Sequence, residues 1–262
     1  MAAAVQCDLC PKACVIAPGQ GGDCRIRINL DGKLTAVTYG HPCAVHVDPV
    51  EKKPLFHFLP GSGILSIATV GCNLHCKNCQ NWEISQEDPE NAPATLLPPS
   101  AIPDLAKKSG CRSVAYTYTE PLAFYEYTLD SCIAAHEGGL RNVLVTAGYI
   151  NREPMKRLCH HVDAANIDLK AMSDNFYRDV CGGTLAPVLA TLELAREIGV
   201  LVEVTNLLIP TLNDEDSAIT ELARWVRGNL GENTPLHFSR FYPHHKMSHL
   251  PPTSAETLDR AR

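Results

Sequence analysis

The feature that most constrains the fold is a regular alternation of short apolar runs with helical patterns after residue 63. The predicted strands are rich in apolar and β-branched residues and lie at 64–70, 113–119, 142–147, 164–169, 201–209 and 236–241. Between them apolar residues recur at helical spacing, as in "DEDSAITELARWVRG", a helix predicted to end at Gly228. Strands that alternate with helices form a parallel sheet with right-handed crossovers. Six such units predict an α/β fold, a partial (β/α)6 barrel rather than a closed eight-fold one.

Polar residues recur where these predicted strands end. In parallel α/β folds, ligands gather at the carboxyl ends of the strands. The residues in question follow or end successive predicted strands: Cys72, Glu120, Thr146, Asp168, Asn206 and Arg240. We therefore expect a functional site at this edge of the sheet.

Residues 1–60 differ from the rest of the chain. Their segment "RIRINLDGKLTAVTYG" contains two short alternating strands around Asp31-Gly32, which predicts a β-hairpin. We therefore divide the chain into a Cys-rich N-terminal extension with a hairpin at 1–60 and a barrel at 61–262. The helical pattern that begins after Pro252 stops at Arg262, which predicts that the barrel is truncated at its C-terminus.

Composition excludes several classes of protein. The net charge is −6, and no run of Lys and Arg exceeds two residues, so a nucleic-acid footprint is not expected. Apolar stretches are too short to span a membrane, and the N-terminus lacks a secretory signal, so a cytoplasmic location is predicted. In such a chain, twelve cysteines indicate metal or cluster ligands rather than disulfides.

Three cysteines form the most specific motif. In "GCNLHCKNCQNW", Cys72, Cys76 and Cys79 have the spacing C-x3-C-x2-C directly after the first predicted strand. Structural zinc takes four ligands, normally as two separated pairs, and His75 is the alternative fourth ligand here. A cubane iron–sulfur cluster held by three cysteines leaves one iron open to a substrate or cofactor. The spacing favours the cluster.

The segments around this motif resemble one family. Together with "TEP", "DLK", "LIPTLND" and "HFSRFYPHHKM", the segment "GCNLHCKNCQNWEISQ" is similar to the radical SAM superfamily. Within it, the chain resembles the AmmeMemoRadiSam system radical SAM enzymes, which are related to activases of glycyl-radical enzymes such as the pyruvate formate-lyase activating enzymes. The resemblance covers nearly the whole chain and implies a partial barrel of the radical SAM type.

The resemblance also implies the chemistry. Cys72, Cys76 and Cys79 would hold a [4Fe–4S] cluster, whose open iron would chelate S-adenosylmethionine (SAM). Reductive cleavage would give methionine and a 5′-deoxyadenosyl radical that abstracts hydrogen from an unidentified substrate. The electron would come from a donor such as flavodoxin or ferredoxin, and Memo-like and AMMECR-type proteins are implied partners.

Five further residues are carried over from the family as cofactor-binding. "YTYTEP" resembles a Gly-Gly-Glu-Pro motif, in which Glu120 would accept a hydrogen bond from the SAM ammonium. The alternative is a carboxylate matched to a helix dipole. "DLK" resembles an activase motif that places Asp168 and Lys170 near SAM, with a strand-end ion pair as the alternative. Thr146 and Asn206 would also lie near the cofactor.

The N-terminal cysteines form a second motif. Cys7, Cys10, Cys14 and Cys24 have the spacing C-x2-C-x3-C-x9-C, a complete ligand set for structural zinc or for a second iron–sulfur cluster. The remaining cysteines, Cys181 among them, are expected to be ordinary buried thiols.

Three functions remain open from the sequence. The first is a radical SAM enzyme, and the second is an activase that generates a glycyl radical on a partner enzyme. The third, of another class, is a non-enzymatic zinc or iron–sulfur module with a structural or interaction role. The acidic charge and the polar strand ends weigh against the third.

Overall fold

A computed structural model describes residues 3–262 of the chain. The strands in this part are β1 Val5–Gln6, β2 Val15–Ile16, β3 Arg27–Leu30, β4 Lys33–Ala36, β5 Ala44–Pro49, β6 Gly63–Ala68, β7 Ser113–Tyr116, β8 Arg141–Thr146, β9 Ala164–Asp168, β10 Leu201–Leu208 and β11 Leu236–Arg240. The α-helices are α1 Trp82–Ser85, α2 Ile102–Lys108, α3 Tyr125–Glu137, α4 Arg152–Cys159, α5 Asp174–Phe176, α6 Ala186–Ile198, α7 Asp216–Leu230 and α8 Ala255–Ala261.

The main sheet contains the six predicted strands in sequential order. Its strand order is β11-β10-β9-β8-β7-β6-β5, and all neighbours from β6 to β11 pair in parallel. This confirms the predicted α/β fold with a parallel sheet. Strands β6 and β11 are not paired with each other, so the sheet stays open as a partial barrel requires.

One face of the sheet divides into a packed end and an open end. Near the amino ends of the strands, side chains such as Ile64, Val143 and Ala164 pack against Val50 and Leu55. These two residues come from the segment between β5 and β6 and close that end of the fold. Every second side chain of a strand points to the same face of the sheet. Toward the carboxyl ends of the strands, the side chains on this face line a cavity.

The N-terminal residues form the predicted hairpin and one unexpected strand. Strands β3 and β4 pair in an antiparallel register around Asp31 and Gly32, both with positive φ as a tight hairpin turn requires. Strand β5 pairs antiparallel with the whole of β6 and forms an edge of the main sheet. The division of the chain at residue 60 stays a prediction, but β5 belongs to the sheet.

Helix α7 ends later than its glycine suggested. The prediction that it ends at Gly228 was wrong, because the helix continues to Leu230 and stops before Gly231, which has a φ of +103°. A glycine inside a helix costs about 1 kcal/mol relative to alanine. The buried side chains of Val226 and Leu230 offset this cost. Among residues 3–262, no helix has the length and apolar character needed to cross a membrane.

Candidate active site at the carboxyl ends of the strands

The carboxyl ends of the sheet surround a cavity of about 530 Å³. Its wall includes the three motif cysteines and most of the predicted cofactor-binding residues: Cys72, Cys76, Cys79, Glu120, Thr146, Asp168 and Lys170. This volume lies within the range of sites that hold a cofactor-sized molecule. The tertiary structure therefore brings together residues that lie up to 98 positions apart in the sequence.

The loop that carries the three cysteines is fixed by contacts with distant segments. The backbone N–H of His75 donates to the carbonyl of Cys181 at 2.8 Å, and that of Lys77 donates to Val180 at 2.9 Å. The Asn73 amide donates to the carbonyl of Tyr149 at 2.7 Å. The first two bonds hold the loop against the π-helical turn that ends at Cys181, and the third holds it against the segment after β8.

His75 is not available as a fourth metal ligand. Its Nδ1 lies 2.7 Å from Gln86 Oε1, and its Nε2 lies 2.9 Å from Asp23 Oδ2. Both ring nitrogens thus have partners outside the cavity. The alternative of a zinc site completed by His75 was wrong, because sequence adjacency to the cysteines does not decide which way the ring points.

The three thiols differ in their electrostatic environment. Burial raises the pKa of Cys72 well above its usual value, and the nearby Glu120 adds to the effect. The pKa of Cys76 is lowered to about 7, chiefly by a hydrogen bond from the Cys181 thiol and also by Lys170. Burial raises the pKa of Cys79. Because thiolates are the metal-binding form, binding of a metal must deprotonate Cys72 and Cys79 against their burial.

Glu120 is buried, with 1% of its surface exposed. Its Oε1 accepts from Thr146 Oγ1 at 2.6 Å and from the Leu122 N–H at 3.1 Å. Among the described residues, the Ala147 N–H is the only donor to its Oε2, at 2.9 Å. Burial raises the pKa of Glu120, and these hydrogen bonds oppose that rise. A carboxylate has about four acceptor sites, so Oε2 keeps one for a donor in the cavity.

Thr146 lies in the cavity wall, and its predicted place near the cofactor stays a prediction. Its hydroxyl donates to Glu120 and accepts from the Gly148 N–H at 2.9 Å. Although Thr146 lies in the cavity wall, both of these contacts are within the protein. It is therefore a positioning residue for Glu120.

Asp168 and Lys170 form an ion pair at the end of β9. The Lys170 Nζ lies 2.8 Å from Asp168 Oδ2, and both side chains line the cavity. Burial alone would lower the pKa of Lys170, but Asp168 and the neighbouring Cys76 and Cys181 thiols raise it well above its usual value. A cation is thus fixed beside the cysteine loop, where it offsets thiolate charge.

The structure corrects the expectation for Asn206. Thr205 and Leu207 line the cavity, and Asn206, between them on β10, points to the other side of the sheet. Its amide donates to the carbonyls of Leu169 at 2.7 Å and Lys170 at 3.1 Å. Asn206 therefore fixes the backbone that presents the Asp168–Lys170 pair and does not reach the cavity.

Sequence reasoning missed a buried polar group at the cavity rim. Asp48 on β5 lies 2.7 Å from Lys53 Nζ, and it also accepts from the hydroxyls of Ser66 and Tyr118. The Lys53 Nζ lies 4.3 Å from the centre of the Tyr118 ring. We call Asp48, Lys53, Ser66 and Tyr118 the rim network. No local spacing indicated it, because β5 was not predicted as a strand of this sheet.

The rim network also explains an unusual backbone. Tyr118 has a φ of +66°, in the region that favours glycine, and stands where the resembled motif has a glycine. Such a conformation costs a bulky residue roughly 1–3 kcal/mol. The Asp48 and Lys53 contacts of the Tyr118 side chain compensate for that strain.

Asp48→Asn is expected to destabilise the protein by about 3–5 kcal/mol at neutral pH, because it leaves the buried Lys53 without its carboxylate. Burial opposes ionisation of Asp48, but its four donors outweigh burial and hold its pKa below the usual value. A lowered folded-state pKa gives stability that is present above the unfolded-state pKa, about 3.9, and is lost as pH falls. Urea unfolding should therefore show the difference between variant and wild type narrowing below about pH 4. Asp31→Asn, at the exposed hairpin turn, is the matched control; an equal loss in both variants would contradict the role of the network.

Gly71→Ala is expected to cost about 2–4 kcal/mol of stability and to disturb the cysteine loop. Gly71 has a φ of +95°, and an added Cβ would lie 2.5 Å from Ile26 Cγ2 and 2.8 Å from the Cys24 carbonyl. Gly61→Ala, at a φ of +75° with no neighbour within 4 Å, isolates the backbone cost, about 1–2 kcal/mol. Thermal unfolding of both variants measures the difference, and equal losses would refute the packing argument.

The donor set suits an iron–sulfur cluster. Among residues 3–262, no three His, Cys, Asp or Glu side chains are arranged to hold a single metal ion. Three thiols around an open cavity instead suit a soft, polynuclear group with one free coordination position. In addition, the Asn78 Oδ1 in the cavity wall is buried without a hydrogen-bond partner among the described residues, so a donor is missing there. The residues present fit the implied cluster and SAM.

Fold and site together define a class of protein, an α/β enzyme whose cavity carries three thiols on the loop after its first parallel strand. A family model described as the radical SAM superfamily matches residues 66–223. The chain therefore belongs to the radical SAM superfamily. This membership confirms the predicted family, the enzyme class, and the [4Fe–4S] cluster and SAM as cofactors. The non-enzymatic alternative was wrong.

The chain is also similar to individual proteins. It is 47% identical to "Uncharacterized protein MJ0808" of Methanocaldococcus jannaschii over 98% of this chain and 77% of that protein. It is 26% identical to the pyruvate formate-lyase-activating enzyme of Clostridium pasteurianum over 64% of this chain and 71% of the enzyme. A radical SAM methyltransferase from Sphaerobacter thermophilus shares the fold, with a TM-score of 0.58 at 19% identity over 78% of this chain and 63% of that structure.

Proposed function

We propose that Cys72, Cys76 and Cys79 bind the [4Fe–4S] cluster and that the adjoining cavity binds SAM, which the enzyme cleaves reductively. The observation that carries this proposal is the convergence of three thiols, a buried carboxylate with a free acceptor site and an ion pair on one cavity. When bound, the reduced cluster supplies the electron that converts SAM to methionine and a 5′-deoxyadenosyl radical. The remaining steps are assigned to residues of this chain.

Each of these residues has a distinct task. The three thiols would hold the cluster and leave it a coordination position for SAM on the cavity side. Glu120 accepts a hydrogen bond from the SAM ammonium at Oε2, and Thr146 fixes the orientation of the carboxylate. Asn78, with its unpartnered oxygen, accepts from a second donor on the cofactor. The Asp168–Lys170 pair keeps a cation beside the thiolates and limits their repulsion.

The finer assignment is an activase-like enzyme that abstracts hydrogen from a protein or peptide. The similarity to a pyruvate formate-lyase-activating enzyme supports it, and so does a benzylsuccinate synthase activating enzyme of Thauera aromatica that is 28% identical over 41% of this chain. The assignment to the AmmeMemoRadiSam group, with Memo-like and AMMECR-type partners and a flavodoxin or ferredoxin as electron donor, also belongs to this proposal.

Anaerobic reconstitution with iron and sulfide tests the proposal. The loaded protein should release 5′-deoxyadenosine from SAM when a strong reductant is present, and the metal-free protein should not. A fully loaded protein that leaves SAM intact would contradict the proposed cleavage. To test the activase assignment, a glycyl-radical partner is added, and the doublet of a glycyl radical is sought by electron paramagnetic resonance.

A further inference from the structure

The four N-terminal cysteines converge on a second, separate site. Cys7, Cys10 and Cys14 lie between β1 and β2, and Cys24 lies between β2 and β3, yet all four residues line the same small cavity. All four are free thiols, and Cys7, Cys10 and Cys24 are buried. The cavity is closed from the barrel side by Asn73 and Ala123. The cysteine loop of the active site thus contributes to the wall of both cavities.

Burial raises the pKa of Cys10 and Cys24, and hydrogen-bond donors directed at their sulfur atoms oppose that rise. Burial raises the pKa of Cys24, but hydrogen bonds from the backbone N–H groups of Ile26 and Arg27 oppose it. In the same way, the Lys12 N–H and the Asn73 amide oppose the effect of burial on Cys10. The Asp23 N–H donates to Cys14 Sγ at 3.4 Å. Donors directed at sulfur are the outer-shell contacts that stabilise metal-bound thiolates.

Cations and an unsatisfied amide complete the site. Lys12 and Arg27 both line the cavity; Lys12 is paired with Asp23 at 2.8 Å and Arg27 with Glu126, and the Arg27 charge also opposes the rise in the pKa of Cys24. Asn73 has 2% of its surface exposed, and its Oδ1 has no hydrogen-bond partner among the described residues, although the side chain lies in the cavity wall. A buried amide oxygen without a partner is costly unless a bound group or its water supplies one.

The spacing of the thiols selects the class of ligand. Four thiolates around one zinc ion would lie at Zn–S distances of about 2.3 Å and leave no space between them. In residues 3–262, however, no three side chains converge in this way on a single ion. This arrangement suits a group larger than one ion, and four cysteines are the ligand set of [2Fe–2S] and [4Fe–4S] clusters.

We propose that Cys7, Cys10, Cys14 and Cys24 bind a second iron–sulfur cluster, distinct from the one at Cys72, Cys76 and Cys79. This inference goes beyond the proposed function and does not depend on it. The second cluster has a structural consequence. Strands β1 and β2 have two residues each, too few to build a core of their own, so a cluster would hold this segment against the loop at Asn73.

Two complementary variants separate the sites. The triple variant Cys72→Ala, Cys76→Ala, Cys79→Ala retains only the N-terminal ligands, and the double variant Cys7→Ala, Cys10→Ala retains only those of the active site. Cys43→Ala, a half-buried thiol outside both cavities, is the matched control. After anaerobic reconstitution, iron, acid-labile sulfide and zinc are counted per chain, and the dithionite-reduced proteins are examined by electron paramagnetic resonance.

The triple variant should keep about two or about four irons with an equal number of sulfides and show its own reduced-cluster signal. The double variant should lose that signal and that iron, and Cys43→Ala should match the wild type. One zinc without sulfide in the triple variant would overturn the proposal, as would the absence of any metal. Circular dichroism establishes whether the triple variant is folded. Loss of the N-terminal cluster signal from the double variant is a second, independent test of the same assignment. Failure of SAM cleavage alone leaves these counts unchanged.

Discussion

Cys76→Ala is expected to abolish SAM cleavage. Of the three motif thiols, Cys76 is the one whose pKa is lowered, to about 7, by the Cys181 thiol and by Lys170. It therefore enters its metal-binding thiolate form most easily. Its removal leaves two cysteine ligands in the cavity. Two thiolates are too few to hold a cubane cluster that needs three protein ligands and one free iron. On the proposed assignment, the variant would have no redox centre beside the SAM-binding cavity.

The measurement is 5′-deoxyadenosine formed per chain after anaerobic reconstitution, together with iron bound per chain. We expect product at the level of the metal-free protein and a loss of the active-site iron. Cys43→Ala should retain both quantities, because Cys43 does not line the cavity. Cleavage by Cys76→Ala at the wild-type rate would show that the cluster is held elsewhere.

Glu120→Gln is expected to weaken SAM binding by about 10- to 100-fold. The charge-assisted hydrogen bond proposed between Glu120 and the SAM ammonium would contribute about 1.5–3 kcal/mol. The amide also fits its surroundings poorly, because Thr146 Oγ1 and the N–H groups of Leu122 and Ala147 are all donors to this carboxylate. The NH₂ group of glutamine would have to face one of these donors. The substitution therefore removes the contact with SAM and also disturbs the hydrogen bonds that orient the side chain.

The dissociation constant of SAM, measured by anaerobic equilibrium dialysis with the loaded protein, tests this prediction. Glu203→Gln is a demanding control. Glu203 is also fully buried, and its carboxylate accepts from the Phe56 and His57 N–H groups and lies 2.6 Å from His237 Nε2. Unlike Glu120, it does not line the cavity. Its replacement should lower stability and leave SAM affinity unchanged. Equal SAM affinity in Glu120→Gln and wild type would remove Glu120 from the binding site.

The two predictions depend on different parts of the sequence. Cys76 was recognised from a local motif whose chemistry is fixed by its spacing. Glu120 was recognised from a resemblance in which the preceding glycines are replaced by Tyr118 and Thr119. The positive φ of Tyr118 shows that the backbone of this motif is kept although its glycine is not. The rim network supplies the compensation, and it could not be seen in the motif itself.

The sequence by itself determined the six parallel strands, their order and the placement of polar residues at their carboxyl ends. These properties follow from short-range rules, because apolar periodicity and strand–helix alternation are local and the crossover rule leaves few topologies. The cysteine loop after β6 was equally readable, since all three thiols lie within eight residues.

Only the tertiary structure decided which side chains share a cavity and which support it from behind. Asn206 was expected at the cofactor but lies on the opposite side of β10, because the two faces of a fully buried strand look alike in sequence. Asp48 and Lys53 meet Tyr118, and Asn73 meets Cys10, across long stretches of chain. Such contacts depend on the packing of whole elements, and no local pattern records them. The same reason explains how Asn73, next to the motif cysteine Cys72, also forms the wall of the N-terminal cysteine site.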